Sequence, residues 1–409
     1  MLSKRFVLPL LVLSLLLVLL PACGGGGGEK TPTVTSKPTT TATITPKPTV
    51  TPTPTTSKEP VKIGVVHDWS GAWAVSGTYY MDRLIKLIEK QVKDGGGILG
   101  GREVKLVKYD GGSTVAGIQT AAMKAYYDGV SALVEGGTMS VNGQIVSDFA
   151  EQNHILFCDL IILPYDVSNL KYTLRAGYRL ADMTVQAEYA IKVLKAKKVA
   201  ILGRALEESR HFADLWVDMV EQSGGEIVYK DFPPAGTDDM SPYLTKVKYY
   251  DPDVLLTDLE TPNYASMAAQ MGGLGGWGKT KVICNMAAAF SASKPGADGW
   301  IILARWVPGI MDNPGSKKFE LDYQAMFGSA PDCAMELMYE PVWLAIEAIK
   351  LAGTDTDREA IAQAARSGNL AWETPLGYIR WGTDGEPVVK SQLLAQVQNG
   401  KMVPVTEWQ

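Results

Sequence analysis

The stretch Val61-Lys-Ile-Gly-Val-Val66-His-Asp-Trp-Ser-Gly71 begins the part of the chain that can fold. Its first six residues form a short, mostly apolar run, and the polar residues and glycine that follow are typical of a strand ending in a turn. A helix is predicted over residues 77–93, where Leu84 and Ile88 stand at helical spacing, and Gly95-Gly-Gly97 ends it. The folded part is therefore predicted to open with a strand–helix unit.

Apolar runs and helical patterns alternate along most of the remaining chain. Strands are expected at 104–109, 131–135, 155–157, 198–203, 226–229, 253–257 and 282–285. Helices are expected at 116–128, 143–153, 183–195, 212–223, 243–250, 264–271 and 336–351. Strands that alternate with helices through short loops predict parallel sheets covered by helices on both faces.

The strand–helix units fall into two series, one before and one after about residue 183. Two series predict an α/β protein with two similar, Rossmann-like lobes. A single (β/α)8 barrel is the alternative. Closing β structure is expected at 377–381 and 392–397, and it favours the two lobes because a barrel would continue to alternate strands with helices.

The overall composition excludes several classes of function. The chain has 409 residues and a formal net charge of −5, whereas a nucleic-acid binder would need a basic face. Four cysteines and three scattered histidines are too few for a disulfide scaffold or a zinc module. Cys158 and Cys284 lie on predicted strands, which indicates buried thiols, and Cys333 is the third cysteine of the folded part. No metal site and no cofactor is predicted.

Motifs of catalysis are also missing from the sequence, which has no Gly-x-Ser-x-Gly elbow, no Walker loop and no His-Glu-x-x-His. Gly272-Gly-Leu-Gly-Gly-Trp-Gly278 follows a predicted helix rather than a strand, so we expect a helix-ending turn there and not a nucleotide loop. The sequence therefore predicts no enzyme. A hydrolase on an α/β scaffold stays as an alternative, and it would need a nucleophile–base pair.

The first sixty residues are predicted to be an export signal and a tether. Lys4 and Arg5 precede the apolar run Phe6 to Leu20, and Cys23 follows shortly after. An uncleaved membrane anchor is the alternative to a secretory signal over 1–23. The arrangement around Cys23 resembles a bacterial lipobox, which implies lipidation of that cysteine. Residues 24–60, glycine-rich and then rich in Thr and Pro, are expected to form a semi-rigid linker.

Five stretches of the folded part carry a family resemblance. They are Ile63-Gly-Val-Val-His-Asp-Trp-Ser-Gly71, Gly95-Gly-Gly-Ile-Leu-Gly-Gly101, Glu135-Gly-Gly-Thr-Met-Ser140, Lys197-Lys-Val-Ala-Ile-Leu202 and Tyr339-Glu-Pro-Val-Trp-Leu-Ala-Ile-Glu-Ala-Ile349. Their order from Val61 to about Val405 resembles the branched-chain amino-acid (Leu/Ile/Val) family of substrate-binding proteins of ABC transporters. That resemblance implies the type I periplasmic binding fold, in which a small ligand binds between two lobes that hinge shut around it.

The resemblance also implies three crossover segments between the lobes, which we place near residues 181, 307 and 378. The first lobe is then expected to comprise 61–181 and 308–378, and the second lobe 182–307 and 379–409. Ligands collect outside the carboxyl ends of parallel strands, where the N-termini of the following helices attract a carboxylate.

Candidate ligand contacts in the first lobe follow its predicted strands. Thr138-Met139-Ser140 stands where the family places the loop that receives the ligand carboxylate, and a simple helix cap is the alternative. An indole in the first loop would form a wall of the pocket, although the tryptophans could instead pack locally. The candidates of this lobe and of the first crossover are Trp69, Ser70, Trp73, Thr138, Met139, Ser140, Asp159, Leu160 and Tyr178, the last with hinge packing as its alternative.

The second lobe departs from the family at two turns. The family's usual Asp-Tyr-Gly turn is replaced by Arg204-Ala-Leu-Glu-Glu-Ser-Arg210, where Glu208 is a candidate contact and a solvated face is the alternative. The family's amino-acid binders clamp the ligand ammonium with an acid after the strand at 282–285. Here Asn285, itself a candidate contact, is followed by Met286-Ala-Ala-Ala289, which contains no acid. Either Asp258 or Glu260 would take over the clamp, or the ligand is a carboxylate without an amine, for which an aromatic acid is one option.

The resemblance implies a function and its partners. We expect a binding protein that is exported, held by lipid at Cys23 to the outer face of the cytoplasmic membrane, and docked on the permease subunits of an ABC importer. Its ligand would be an amino acid or another small carboxylate, with no nucleic acid as partner. A receptor subunit that signals the closed state to another protein is the alternative.

Overall fold

The computed structural model describes residues 59–137, 139–160, 165–234, 237–275, 277–285, 295–388 and 393–405, with only the backbone of Leu180 and Ala181. All of these residues belong to the unit Thr56–Gln409. Cys23, the expected signal and nearly all of the expected linker lie outside the described residues. No helix among those that are described is long and apolar enough to cross a membrane.

The first lobe is built on a parallel sheet of five strands in the order β2-β1-β3-β4-β5. Its strands are β1 (Val61–His67), β2 (Val104–Asp110), β3 (Ala132–Glu135), β4 (Leu156–Asp159) and β5 (Thr173–Arg175). The helices between them are α1 (Asp82–Asp94, after a π-helical turn), α2 (Val115–Tyr127) and α3 (Ser140–Asn153). The β3 and β4 strands are fully buried, as expected for a parallel sheet that is covered on both faces.

The second lobe is built on a sheet of seven strands in the order β15-β14-β10-β9-β8-β6-β7. Its first strands, which run parallel, are β6 (Lys198–Gly203), β7 (Glu226–Asp231), β8 (Val254–Asp258), β9 (Lys281–Cys284) and β10 (Ile301–Ala304). They are connected with α4 (Val185–Lys192), α5 (Glu207–Gln222), α6 (Ser241–Tyr250) and α7 (Thr261–Gly273). The antiparallel strands β14 (Leu393–Gln398) and β15 (Lys401–Pro404) complete the sheet.

Between β10 and β14 the chain returns to the first lobe. It forms α8 (Pro314–Phe327), α9 (Cys333–Ala352), α10 (Arg358–Ala365) and a three-stranded antiparallel sheet of β11 (Ala371–Thr374), β12 (Gly377–Trp381) and β13 (Pro387–Val388). Helix α9 packs against β3 and β4, and α8 packs against α1. Two open, mainly parallel sheets confirm the predicted two-lobed α/β fold and exclude the barrel alternative.

The chain passes between the two sheets at three places. The predicted crossovers near 181 and 307 fall between β5 and α4 and between β10 and α8. Residue 378, in contrast, lies inside β12, which pairs with β11 and β13 rather than with the second sheet. The Trp381 indole also donates to the carbonyl oxygen of Arg175 in the first lobe, 2.8 Å away. The third passage therefore lies later than 378, because the chain joins the second sheet only at Leu393.

The first crossover is tightly packed at Gly177. A Cβ atom on this residue would lie 1.7 Å from the carbonyl oxygen of Leu160, too close for any side chain. We expect Gly177→Ala to lower the free energy of unfolding by about 1–3 kcal/mol, as overpacking does elsewhere. Chemical denaturation measures the change. Gly272→Ala is the matched control, since no atom of the described residues outside its own helix lies within 4 Å of its Cβ position. An unchanged midpoint for Gly177→Ala would contradict the tight approach at Gly177.

Candidate functional site

The carboxyl ends of the strands in each lobe bear the loops that form the candidate site. In the first lobe, the loop after β3 contains two glycines with left-handed backbone, Gly136 at φ 81° and Gly137 at φ 86°. Both of their N–H groups donate to the carbonyl oxygen of Val66 at 3.1 Å, which holds the loop on the end of β1. Helix α3 then begins at Ser140, which is buried, and Met139 provides no side-chain cap. The first turn of α3, with the positive end of the helix dipole, therefore lies at the carboxyl ends of the strands, where an anionic group is favoured.

In the second lobe, Arg204 directly follows β6 and joins two acids. Its Nη2 atom lies 3.0 Å from Asp258 Oδ2, at the end of β8, and 3.1 Å from Glu208 Oε1, in the first turn of α5. Asn285, which follows β9, donates to Asp258 Oδ1 at 2.5 Å. We call Arg204, Glu208, Asp258 and Asn285 the second-lobe wall. It contains two carboxylates and one guanidinium, and Glu260 lies in the next loop.

A cavity between the lobes brings the two halves of the site together. Ser140, in the first turn of α3, and Glu208, in the first turn of α5, line the same cavity, and the Ser140 side chain favours the ionised form of Glu208. The cavity has a volume of about 510 Å³ and is lined by Met139, Ser140, Val141, Tyr165, Leu206, Glu207, Glu208, Arg210, His211 and Asp214. Since both lobes contribute residues, the cavity changes shape whenever the lobes move.

Burial changes the acid–base properties of the second-lobe wall. Burial raises the pKa of Glu208, although Arg204 opposes this effect. For Arg204, burial alone would lower the pKa, but the charges of Asp258 and Glu208 outweigh it and raise the pKa overall. The guanidinium therefore keeps its charge, and it is the cation that compensates the two acids.

The first-loop candidates are not among the residues that line this cavity. The Trp69 indole donates to Asp82 Oδ1 of α1 at 2.7 Å, and the Lys108 ammonium lies 5.5 Å from its ring centre. Ser70 is exposed, and its backbone N–H donates to Asp110 Oδ1. Trp73 is half-buried and donates its backbone N–H to Ser113 Oγ. These three residues stabilise the loop after β1, as the packing alternative predicts.

Other first-lobe candidates lie deeper than expected. Asp159 is buried and stands in register with Glu135 on the neighbouring strand. Leu160 and Tyr178 belong to the main hydrophobic core, and the Arg305 guanidinium lies 5.7 Å from the Tyr178 ring centre. Thr138 and residues 286–289 lie outside the described residues. Of the first-lobe candidates, Met139 and Ser140 are the ones that line the cavity between the lobes.

Two charged residues of the site were not among the sequence candidates. Arg204 is the cation of the second-lobe wall. Glu135 directly precedes the ligand-loop glycines, is fully buried, and has a left-handed backbone with φ 84°. Its Oε2 lies 3.7 Å from His67 Nδ1. Burial raises the pKa of Glu135 and lowers that of His67 to about 4. A charged residue that ends a predicted strand, as Glu135 does, or that directly follows one, as Arg204 does, is the signal that could have identified both.

Two α/β lobes with a cavity between their strand ends define the class of two-lobed ligand-binding proteins. A family model described as periplasmic binding protein matches residues 60–401, and the chain belongs to that family. Leu/Ile/Val-binding protein homolog 4 of Brucella abortus (strain 2308) is 24% identical over 215 residues, which make up 49% of this chain and 51% of the relative. The homolog of Brucella suis biovar 1 (strain 1330) gives the same values. The match thus spans about half the length of these curated relatives.

Solved structures share the fold over most of the chain. The leucine-binding protein LivK of Thermotoga maritima has a TM-score of 0.73 and 22% identity, covering 85% of this chain and 98% of its own. A solute-binding protein of an R. palustris ABC transporter, in complex with benzoate, has a TM-score of 0.74 and 16% identity, covering 85% and 95%. LivJ of Streptococcus pneumoniae, in complex with isoleucine, has a TM-score of 0.72 and 20% identity, covering 85% and 100%. The resemblance read from the sequence is confirmed at the level of family and fold.

Proposed function

We propose that this protein captures a small carboxylate-bearing ligand between its two lobes and delivers it to the permease of an ABC importer. The observation that carries the proposal is that Ser140 of the first lobe and Glu208 of the second line one cavity. These residues lie in the first turns of α3 and α5, where the positive end of a helix dipole favours a ligand carboxylate. The amino-acid and benzoate complexes of the structural relatives support a ligand of this size and charge.

The second-lobe wall supports an amine as the other recognised group. Its two carboxylates exceed its single guanidinium by one negative charge, so a ligand ammonium near Asp258 or Glu208 would complete the balance. Asp258 thus takes the clamping role that Met286 to Ala289 do not supply. An aromatic acid without an amine would use only the α3 end of the cavity.

The proposal includes a location outside the cytoplasm. Membership in the periplasmic binding protein family supports export. The apolar run before Cys23 supports a lipoprotein signal, with the lipidated cysteine holding the protein on the outer face of the membrane. The Thr/Pro-rich linker would then separate the two lobes from the lipid surface.

Binding without a chemical step fits the described residues better than hydrolysis. His67 Nε2 lies 2.8 Å from Ser76 Oγ, which is a nucleophile–base pair of the kind that the hydrolase alternative needs. However, His67 Nδ1 is 3.7 Å from the Glu135 carboxylate, beyond hydrogen-bond length, and burial lowers the pKa of His67 to about 4. A base of that pKa is a poor proton acceptor near neutral pH.

A thermal-shift screen tests the proposed function. The probes are the standard L-amino acids, benzoate, 4-hydroxybenzoate and short aliphatic carboxylates. A true ligand at about 100 times its Kd should stabilise the protein by about 2.7 kcal/mol, which appears as a raised Tm. A screen in which no carboxylate changes the Tm would overturn the proposed ligand class.

The control for the screen is Ser140→Ala. The variant removes the hydroxyl group at the α3 N-terminus, so it should fold normally and show a smaller shift with the same ligand. Thr120→Ala is the matched change, because the Thr120 hydroxyl bonds only to its own helix, at Ala116 O. Equal ligand shifts for Ser140→Ala and Thr120→Ala would remove Ser140 from the site.

A further inference from the structure

The first two crossovers meet helix α9 at three buried charged residues, Arg305, Glu336 and Glu340, which we call the hinge cluster. Arg305 directly follows β10. Its Nη1 donates to the carbonyl oxygen of Ala176, in the first crossover, at 2.8 Å. Its Nη2 lies 3.0 Å from Glu340 Oε2 and 3.8 Å from Glu336 Oε1. One guanidinium therefore joins both crossovers to the first lobe.

The hinge cluster contains one acid more than it can neutralise. The exposed fractions of the three side chains are 1% for Arg305, 0% for Glu336 and 1% for Glu340. Neither oxygen of Glu336 accepts a hydrogen bond from an N–H group of a described residue, nor does Glu340 Oε1. A buried carboxylate with so few donors is destabilised, because it has lost its hydration and gained only the charge of Arg305 and, for Glu340, the Thr374 hydroxyl group.

A proton resolves this imbalance. Glu336 and Glu340 lie one turn apart on α9, and each places a carboxylate oxygen within 3.8 Å of the same Arg305 Nη2 atom. Two carboxyl groups this close cannot both ionise, whereas an un-ionised one can donate to the other. We propose that Glu336 and Glu340 share one proton in the folded protein, and that the remaining negative charge pairs with Arg305 to clamp both crossovers to α9. The inference goes beyond the proposed function and holds whichever ligand the cavity takes.

The surroundings of the hinge cluster agree with a shared proton. The charged and titratable groups that face it from the crossovers and from α9 are Tyr178, Arg179, Asp182, Cys333 and Tyr339. Arg179 is held by Asp182, at 2.8 Å, so it does not supply the missing cation. Burial raises the pKa of Glu336 well above its ordinary 4.5 and raises that of Glu340 as well, with Arg305 opposing both.

A shared proton makes stability depend on pH in a definite direction. The folded protein keeps a proton that the unfolded chain releases above pH 4.5, the ordinary pKa of a glutamate. Stability is therefore fully present below that pH and falls as the pH rises toward the raised pKa of the folded pair. Loss of the proton would leave two negative charges on one guanidinium and loosen the crossovers on which lobe closure turns.

Glu336→Gln tests the proposal, because glutamine resembles the un-ionised acid and its amide can still donate to Glu340. The Tm of the wild type should fall between about pH 5 and pH 8, and the fall in the variant should be smaller by at least about 2 °C. Infrared difference spectra of wild type minus variant at neutral pH should also show the carbonyl band of one un-ionised carboxylic acid that the variant has lost, while other buried acids such as Glu135 cancel in the difference. Glu347→Gln is the matched control on the same helix, where Glu347 pairs with Lys350 near the surface.

Each result decides the proposal. The shared proton is supported if Glu336→Gln loses both the carboxylic acid band and the fall of Tm with pH, and Glu347→Gln keeps both. The same band and slope in Glu336→Gln as in the wild type overturn it, because the pair would then be fully ionised. If Glu336→Gln does not fold, Glu340→Gln is measured in the same way, since either glutamine removes the shared proton.

Discussion

Replacing Arg305 with alanine should lower the free energy of unfolding by about 3–5 kcal/mol, the range measured when one partner of a buried ion pair is removed. The variant leaves the Glu340 carboxylate without its cation and the Ala176 carbonyl oxygen without its donor. Both groups are buried, so water cannot replace the lost contacts at no cost. Equilibrium denaturation in urea measures the effect as a lower midpoint.

Two further variants separate the charge of Arg305 from its geometry. Arg305→Lys keeps a cation but cannot bond to Glu340 and Ala176 at once, so its loss of stability should be intermediate. Lys90→Ala removes an exposed partner, since Lys90 and Asp94 are more than half exposed, and should change stability by less than about 1 kcal/mol. If Arg305→Ala were as mild as Lys90→Ala, the hinge cluster would contribute nothing to holding the crossovers.

The fold could be predicted from the sequence because its signals are local. Each strand of β1 to β4 is a short run of mostly apolar residues, and glycines mark several of the turns between strands and helices. The dependence on local signals also explains why one strand was not predicted. Strand β10, Ile301–Ala304, is apolar but only four residues long, and a run that short fits a strand or a buried helix equally well.

The starts of α3 and α5 were predicted too late, and this matters for the site. Helix α3 begins at Ser140 instead of 143, and α5 begins at Glu207 instead of 212. Neither helix has a side-chain cap, so the usual start signal of a capping Ser, Thr, Asp or Asn is missing from both. The first turns of these helices are the parts that face the cavity.

The site itself depends on pairs of residues that are distant in the sequence. Arg204 and Asp258 are 54 positions apart, and a charged run such as 204–210 favours a solvated surface when it is read alone. Trp69 is a second example, because an aromatic residue at a strand end suggests a pocket wall, whereas the sequence gives no sign that its indole bonds to Asp82 on α1. The direction of a side chain is decided by partners that the local pattern does not contain.

Replacing Arg204 with alanine should weaken binding of the ligand found in the thermal-shift screen by about 30-fold or more. Removing the cation costs about 2–5 kcal/mol in comparable buried charge pairs, because it leaves Glu208 and Asp258 uncompensated beside the cavity. The two acids would then repel the ligand carboxylate, and Glu208 would lose the partner that fixes its position opposite Ser140. Isothermal titration calorimetry measures the change in Kd.

Arg210→Ala is the matched control for this prediction. Arg210 lies on the same stretch of chain as Arg204 and lines the cavity itself, but it is exposed and its guanidinium lies 4.2 Å from the ring centre of Phe232. Its removal takes away one positive charge without uncovering a buried acid, so Kd should change by less than about threefold. Equal losses of affinity in the two variants would show that net charge at the cavity mouth matters and that the pairing of Arg204 with Asp258 and Glu208 does not.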